Sequence, residues 1–168
     1  RPRAIGGVAV ESAAAVATQT LDAMADGGLY DHVGGGFHRY ATDRSWTVPH
    51  FEKMLYDNAE LPRIYLHAAR ALDEPRYARI AQETLAFVER ELRHPDGGFY
   101  STLDARSADG SGERVEGEFY VWTPQEVREA VADATDAELF CARYGVTEAG
   151  NFEGRTVLTA STPVAALA

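Results

Sequence analysis

The chain has 168 residues, 26 of them acidic and 16 basic, and a formal net charge of −10; this length suits one domain with a real core and is too short for two. An acidic chain with no Lys/Arg cluster excludes a nucleic-acid backbone and an anionic membrane surface as partners, and no apolar run approaches the roughly 20 residues that span a bilayer. The single cysteine, Cys141, excludes an internal disulfide and a Cys-x-x-Cys redox or zinc site, and with no secretory-signal pattern at the N-terminus the expected compartment is the cytoplasm.

In chain order, the alanine-rich stretch Ser12 to Ala25 predicts a helix stopped by Gly27-Gly28. A second helical pattern runs from Pro49 to Leu72, with Leu55, Leu61, Ile64, Tyr65, Leu66 and Ala69 on its apolar face and Pro62 set to kink or split it. Pro75 opens a third, with Tyr77, Ile80, Ala81, Leu85 and Val88 in phase as far as Leu92; Pro95 and Gly97-Gly98 end it. Residues 97–103 and 116–123 are aromatic and β-prone and are expected to pair, joined through a loop or hairpin over 106–117. Thr123, Pro124 and Glu126 have the spacing of a capping box, and Asp136 to Tyr144 reads as a last helix before Gly145. The fold class is mainly α.

Gly27-Gly28-Leu29-Tyr30-Asp31 returns as Gly97-Gly98-Phe99-Tyr100-Ser101, as a repeated helix-pair connection would, although Gly-Gly followed by an aromatic is also an ordinary helix stop. Residues 31–60 concentrate three of the five histidines, a Gly-Gly-Gly run and the lone lysine, Lys53. If the helix starts at Pro49, then His50, Lys53 and Asp57 share one face, and a base, a cation and a carboxylate converge; the helix N-terminus would hold the imidazole neutral. Spacing alone favours the plainer reading, a Lys53–Asp57 ion pair with His50 capping or packing. His32 and His38 flank the glycines, a flexible connection able to bring both rings to one place. No thiolate and no His-x-x-x-His stands near them, so no metal and no cofactor are expected. Phe37, Phe51, Phe99 and Phe119 read as core, Cys141 as a buried, inert thiol, and His67 and His94 as surface or packing residues.

The blocks DHVGGGFHRYATDRSWTVPHFEKMLYDNA, GGFYSTLDA, GEFYVWT and GNFEGRTVL closely resemble the spermatogenesis-associated protein 20 family, the YyaL-type thioredoxin-domain-containing proteins. The resemblance covers the chain from the first helix to about Leu158. It implies a thioredoxin-like domain followed by an (α/α) toroid, similar to six-hairpin glycosidases and N-acylglucosamine epimerases. Residues 1–168 would then be a single domain, the N-terminal part of an (α/α)6-type toroid with a short β-hairpin in its rim loops, the thioredoxin-like domain and later hairpins lying outside it. The chain departs from the family at Arg106, where an acid is usual, and at Pro62, where a helix former is usual.

A toroid binds ligands in its central hole, walled by the rim loops. Aromatic faces there suit the C–H patches of a sugar, and carboxylates, Arg and Asn its hydroxyls. The expected ligand is thus a sugar or sugar derivative, with Asp31, His32, Arg39, Tyr40, Trp46, Lys53, Asn58, Tyr100, Tyr120 and Trp122 as binding residues. His50 or His38 would move a proton as in an epimerase or isomerase. A glycoside hydrolase using Asp57 and Asp104, and a non-catalytic binding or scaffolding module beside the thioredoxin-like domain, remain alternatives. Three hairpins of a ring would leave apolar faces uncovered, so self-association is expected.

Overall fold

Helix propensity and the glycines behind it produce α1 (Val10–Asp26) in the computed structural model, which describes residues 4–5, 8–160 and 162–167, with side chains from Ser12 onward. A small ribbon, β1 (Ala4–Ile5) with β2 (Val8–Ala9), precedes it. Gly27 N–H closes the last turn on Ala23 O at 3.0 Å. The chain then runs beside a later helix, α3 (Pro75–Phe87): Arg76 holds Asp22 at 2.6 Å and Asp26 at 2.8 Å, and the Tyr30 hydroxyl donates to Glu83 at 2.5 Å.

The glycine run is close-packed rather than flexible. Gly36 has φ +78° and faces Phe87, whose Cδ1 would lie 2.4 Å from an added Cβ; Gly35 would place one 2.9 Å from Glu83 O. Only glycine satisfies both the left-handed backbone and the contact.

Residues 49–54 correct the helix expected from Pro49. They form β4 (Pro49–His50), paired with β3 (Tyr40–Ala41), and β5 (Lys53–Met54), paired with β6 (Thr102–Leu103). The helix starts later, as α2 (Leu55–Leu72). His50 and Lys53 therefore lie on extended chain, and the shared helical face with Asp57 does not exist. Pairing with distant segments overrides a locally helical pattern here. Pro62 is buried inside α2 without dividing it. Asp73 ends the helix in the left-handed region at φ 53°, Glu74 caps the Arg76 N–H of α3 at 3.2 Å, and the two helices pack as a hairpin. A single π-turn, Val88–Leu92, carries α3 to the end foreseen at Leu92.

The segments 97–103 and 116–123 do not pair with each other. Thr102–Leu103 joins β5, whereas β9 (Val121–Trp122) joins β10 (Thr156–Val157). The link between them does form a hairpin, β7 (Arg106–Ala108) with β8 (Arg114–Glu116), and a 3-10 turn over Glu118–Tyr120 follows. The capping box is present: Thr123 Oγ1 accepts the Glu126 N–H at 3.2 Å while Glu126 Oε2 accepts the Thr123 N–H at 2.7 Å, starting α4 (Pro124–Ala130). Asp133 caps α5 (Ala134–Tyr144), and Gly145, at φ 71°, ends it.

Among the described residues, three apolar clusters hold these parts together. Leu21, Leu29, Phe37, Tyr65, Tyr77 and Ile80 join α1, α2 and α3; Phe51, Ala105, Val121 and Val157 lie under the strand pairs; Val127, Ala137, Val146 and Leu158 join α4 and α5. Phe37 and Phe51 are core as expected, but Phe99 is 51% and Phe119 73% exposed. The two Gly-Gly-aromatic copies also differ: Leu29 and Tyr30 are buried, whereas Phe99 and Tyr100 stand in the open.

Candidate functional site

The 31–60 block folds so that its first residue meets its lysine. Lys53, from β5, is 1% exposed, and its Nζ donates to Asp31 Oδ2 at 2.7 Å and to Gly35 O at 2.9 Å. Asp31 Oδ1 meanwhile accepts the N–H groups of Val33 at 3.0 Å and Gly34 at 2.8 Å. One carboxylate oxygen thus shapes the glycine turn and the other holds the ammonium. Two rings flank the cation, Phe87 with its centroid 4.4 Å from Nζ and Tyr120 at 5.0 Å. Burial alone would raise the Asp31 carboxyl; the Lys53 charge, its hydrogen bond and the Gly34 N–H reverse this and hold it below the usual carboxylate range. For Lys53 burial outweighs the attraction of Asp31, and the amine lies below its ordinary value.

This pair borders a cavity of about 510 Å³, a size suited to a small molecule. Phe87, Leu103, Phe119, Tyr120 and Trp122 give it apolar walls, and the π-turn adds Arg90 and Glu91. The loop 31–35 separates it from a second hollow of about 250 Å³, lined by Tyr30, His32, Arg76, Arg79 and Glu83 among others. Arg90 fastens that loop through Gly34 O at 2.6 Å.

His38 is 3% exposed, and its Nδ1 lies 3.0 Å from Phe51 O. A carbonyl only accepts, so Nδ1 carries the hydrogen and Nε2 is an acceptor. Its ring meets Tyr120 edge-on, with centroids 4.6 Å apart. Burial, reinforced by the Lys53 charge, pushes its pKa down to about 3, so it is neutral at pH 7. His32 donates from Nε2 to Gly27 O at 3.0 Å, and burial lowers its pKa as well. Both histidines line one small hollow of about 10 Å³ with Asp31 and Tyr120. They are brought together by packing, not by loop flexibility.

His50 belongs to another cluster. Its Nδ1 meets Glu116 Oε1 at 2.7 Å, its Nε2 lies 3.6 Å from Glu52, and its ring stacks on Tyr40 at 5.1 Å. Arg39 joins the cluster by donating to Glu52 at 2.9 Å. The group ties β4 to the β7–β8 hairpin and lines neither hollow beside Asp31. Asp57 sits in the first turn of α2, its pKa raised by burial, with Oδ2 buried and without a protein partner. Asp104 is exposed and binds the Arg106 N–H at 2.9 Å and Arg114 at 3.0 Å. Of the three hollows around Asp31, His38 lines the smallest, and neither His50 nor Asp57 lines any of them.

Among the remaining candidates, Asn58 is fully buried, accepting the Phe37 N–H at 2.7 Å and donating to Phe37 O and Met54 O, both at 2.9 Å. Both of its N–H donors are used and the side chain is out of a ligand's reach; it fastens the loop to α2. Trp46 packs against the first core at φ 60°, where Asp43 holds the turn by accepting the Val48 N–H at 2.6 Å, and Tyr100 is exposed beside His94. Of the predicted residues, the larger cavity gathers Asp31, Lys53, Tyr120 and Trp122. It also gathers Phe87, Leu103 and Phe119 and the charged pair Arg90 and Glu91, which the sequence reading did not assign to a site. The only local signal was that a chain using arginine elsewhere places its one lysine in this block.

The structure defines a mainly α protein with short strand pairs, built around a buried lysine–aspartate pair and an aromatic cavity. Among the described residues, no helix is long and apolar enough to cross a membrane, and no group of three or more His, Cys, Asp or Glu side chains is placed to hold a metal ion. Over 163 residues the chain is 45% identical to spermatogenesis-associated protein 20 of Homo sapiens, covering 86% of this chain and 21% of that protein. The Mus musculus protein of the same name is 45% identical over 145 residues, 81% of this chain and 18% of its own. An uncharacterized Caenorhabditis elegans protein is 36% identical over 142 residues, 79% of this chain and 19% of that one. These relatives support the spermatogenesis-associated protein 20 family, and the chain spans about a fifth of their length. No family model matches the chain.

Proposed function

We propose that the chain is the N-terminal part of an (α/α)6-type toroid and that the cavity beside Asp31 and Lys53 binds a sugar or sugar derivative, with epimerase- or isomerase-type proton transfer as its chemistry. The observation that carries this reading is the lysine. An ammonium has three N–H donors; two are engaged by Asp31 and Gly35, and the third is available to an acceptor oxygen in a cavity walled by Phe87, Tyr120 and Trp122. Aromatic faces with one fixed donor and a carboxylate suit a hydroxylated ring. The helical pairs α2–α3 and α4–α5 fit the hairpin units of a toroid. Proton transfer falls to the Lys53–Asp31 pair in this scheme, because His50 is engaged with Glu116 away from the cavity. Asp57 and Asp104 do not line it either, which leaves the hydrolase alternative without a paired site there.

The test is thermal unfolding of the chain against a panel of monosaccharides and sugar phosphates. A ligand at 100 times its Kd stabilises the folded state by about 2.7 kcal/mol, a readily measured rise in Tm. We expect a rise that shrinks in Trp122→Ala; a panel with no shift at about 10 mM rejects ligands with Kd near 0.1 mM and with them this reading. A second reading, a binding or scaffolding surface, is favoured by Phe119, 73% exposed, with Phe99 and Tyr100 also open. That reading and the toroid both expect self-association of the chain, and a monomer by light scattering at high concentration counts against it.

A further inference from the structure

We propose that Lys53 is a carbonyl-reactive amine, which condenses with the aldehyde or ketone of a small molecule in the aromatic cavity, with Asp31 beside it as proton acceptor and donor. The proposal rests on the sugar reading of this cavity and narrows the ligand to compounds with a free carbonyl, such as an open-chain aldose or ketose.

The first observation is the choice of residue. The chain has 16 basic residues, and Lys53 is the only one that is not arginine. Among the described residues arginine makes the other acid–base side-chain pairs apart from those of histidine, as at Arg76 with Asp22 and Asp26 and Arg155 with Glu118 and Glu126. A guanidinium binds a carboxylate in two-pronged fashion and does not lose its proton, so a purely structural cation here has an evident alternative. Lysine differs in yielding a neutral, nucleophilic amine.

The second observation is geometry. Nζ lies 2.7 Å from Asp31 Oδ2, within proton-transfer reach, and Lys53 lines the cavity together with Phe87 and Tyr120, whose rings flank the nitrogen. Both rings keep water from the nitrogen, and burial shifts the amine toward its neutral form. In the reaction the Lys53 ammonium passes one proton to the Asp31 carboxylate, and the freed lone pair attacks the carbonyl carbon. The C–N bond forms as the C=O π pair moves to oxygen, which takes the proton back from Asp31. A second N–H proton, relayed by Asp31, then leaves with the hydroxyl as water, and the product is the protonated imine. Net, ammonium and carbonyl give a protonated imine and water, with no change of oxidation state.

The experiment treats the full chain with glyceraldehyde and sodium cyanoborohydride at pH 7 and locates the reduced adduct by peptide mass mapping. With one lysine, only Lys53 and the chain's α-amine can react, and the α-amine serves as internal reference. We expect Lys53 to be labelled at least tenfold faster in the folded chain than in the chain unfolded in urea, with the α-amine alike in both and no internal adduct in Lys53→Arg. Labelling of Lys53 that is equal or slower in the folded chain overturns the proposal, and this comparison needs no variant to fold. A methyl glycoside, which has no free carbonyl, separates the two readings. If it raises Tm and no Lys53 adduct forms, the imine is refuted and sugar binding stands. If the Lys53 adduct forms rapidly and no sugar shifts Tm, the reactive amine stands and the sugar reading falls.

Discussion

Protonation of His38 is the sharpest stability test of this core. The imidazole is almost fully buried, with Nδ1–H on Phe51 O and the Lys53 ammonium nearby, and its pKa is pushed down to about 3 from an ordinary value near 6.5. The unfolded chain therefore takes up a proton below about pH 6.5 while the folded chain refuses it until about pH 3. A depressed folded-state pKa means that stability is intact above pH 6.5 and is lost as the pH falls toward 3. Each pH unit in that window costs about 1.4 kcal/mol, so moving from pH 7 to pH 4 removes about 3 kcal/mol through this one side chain. Carboxylates contribute to acid unfolding too, and His38→Asn separates the effects, because its amide can still donate to Phe51 O and does not titrate. Urea unfolding at a series of pH values gives the difference directly. The wild-type chain should lose about 3 kcal/mol more than His38→Asn over that interval; parallel pH profiles for the two proteins would refute a neutral, buried His38.

Asn58→Ala leaves the N–H and C=O of buried Phe37 without their partners, and at roughly 1–3 kcal/mol for each orphaned group the loss in urea unfolding should be about 3 kcal/mol. A loss under about 1 kcal/mol would show that water replaces the amide. Gly36→Ala combines a left-handed backbone with a clash on Phe87 and should cost about 3 kcal/mol, whereas Gly97→Ala, left-handed but with open space around it, should cost only about 1–2 kcal/mol. Equal losses would mean that the Phe87 contact relaxes freely.

Much of the helical part was legible because its signals are local. The alanine run of α1, the Pro75 start of α3 and the Thr123–Glu126 box act within one or two turns, and the structure keeps all three. Residues 49–54 were misread for the converse reason. Their spacing satisfies a helix, but each short strand is decided by a partner elsewhere, Tyr40 opposite His50 and Leu103 opposite Lys53. The candidate site suffers the same way. Asp31, Lys53, Tyr120 and Trp122 were named from their chemistry, yet nothing local pairs Lys53 with Asp31 rather than Asp57, or brings Phe87 from the end of α3 and Arg90 from the π-turn beside them. Asn58 looked like a ligand group because its residue type cannot reveal that its hydrogen-bonding atoms already face Phe37 and Met54.

The pairing of Lys53 with Leu103 across β5 and β6 has a kinetic corollary. Both residues border the cavity, and the segment between them contains the whole α2–α3 hairpin. Closing that span carries a loop-entropy cost that the two-residue ladder alone cannot offset, so the hairpin must dock before the lysine finds its seat. The cavity is accordingly a late product of folding, and a nascent chain halted ahead of Leu103 would hold an unshielded amine in place of a buried one.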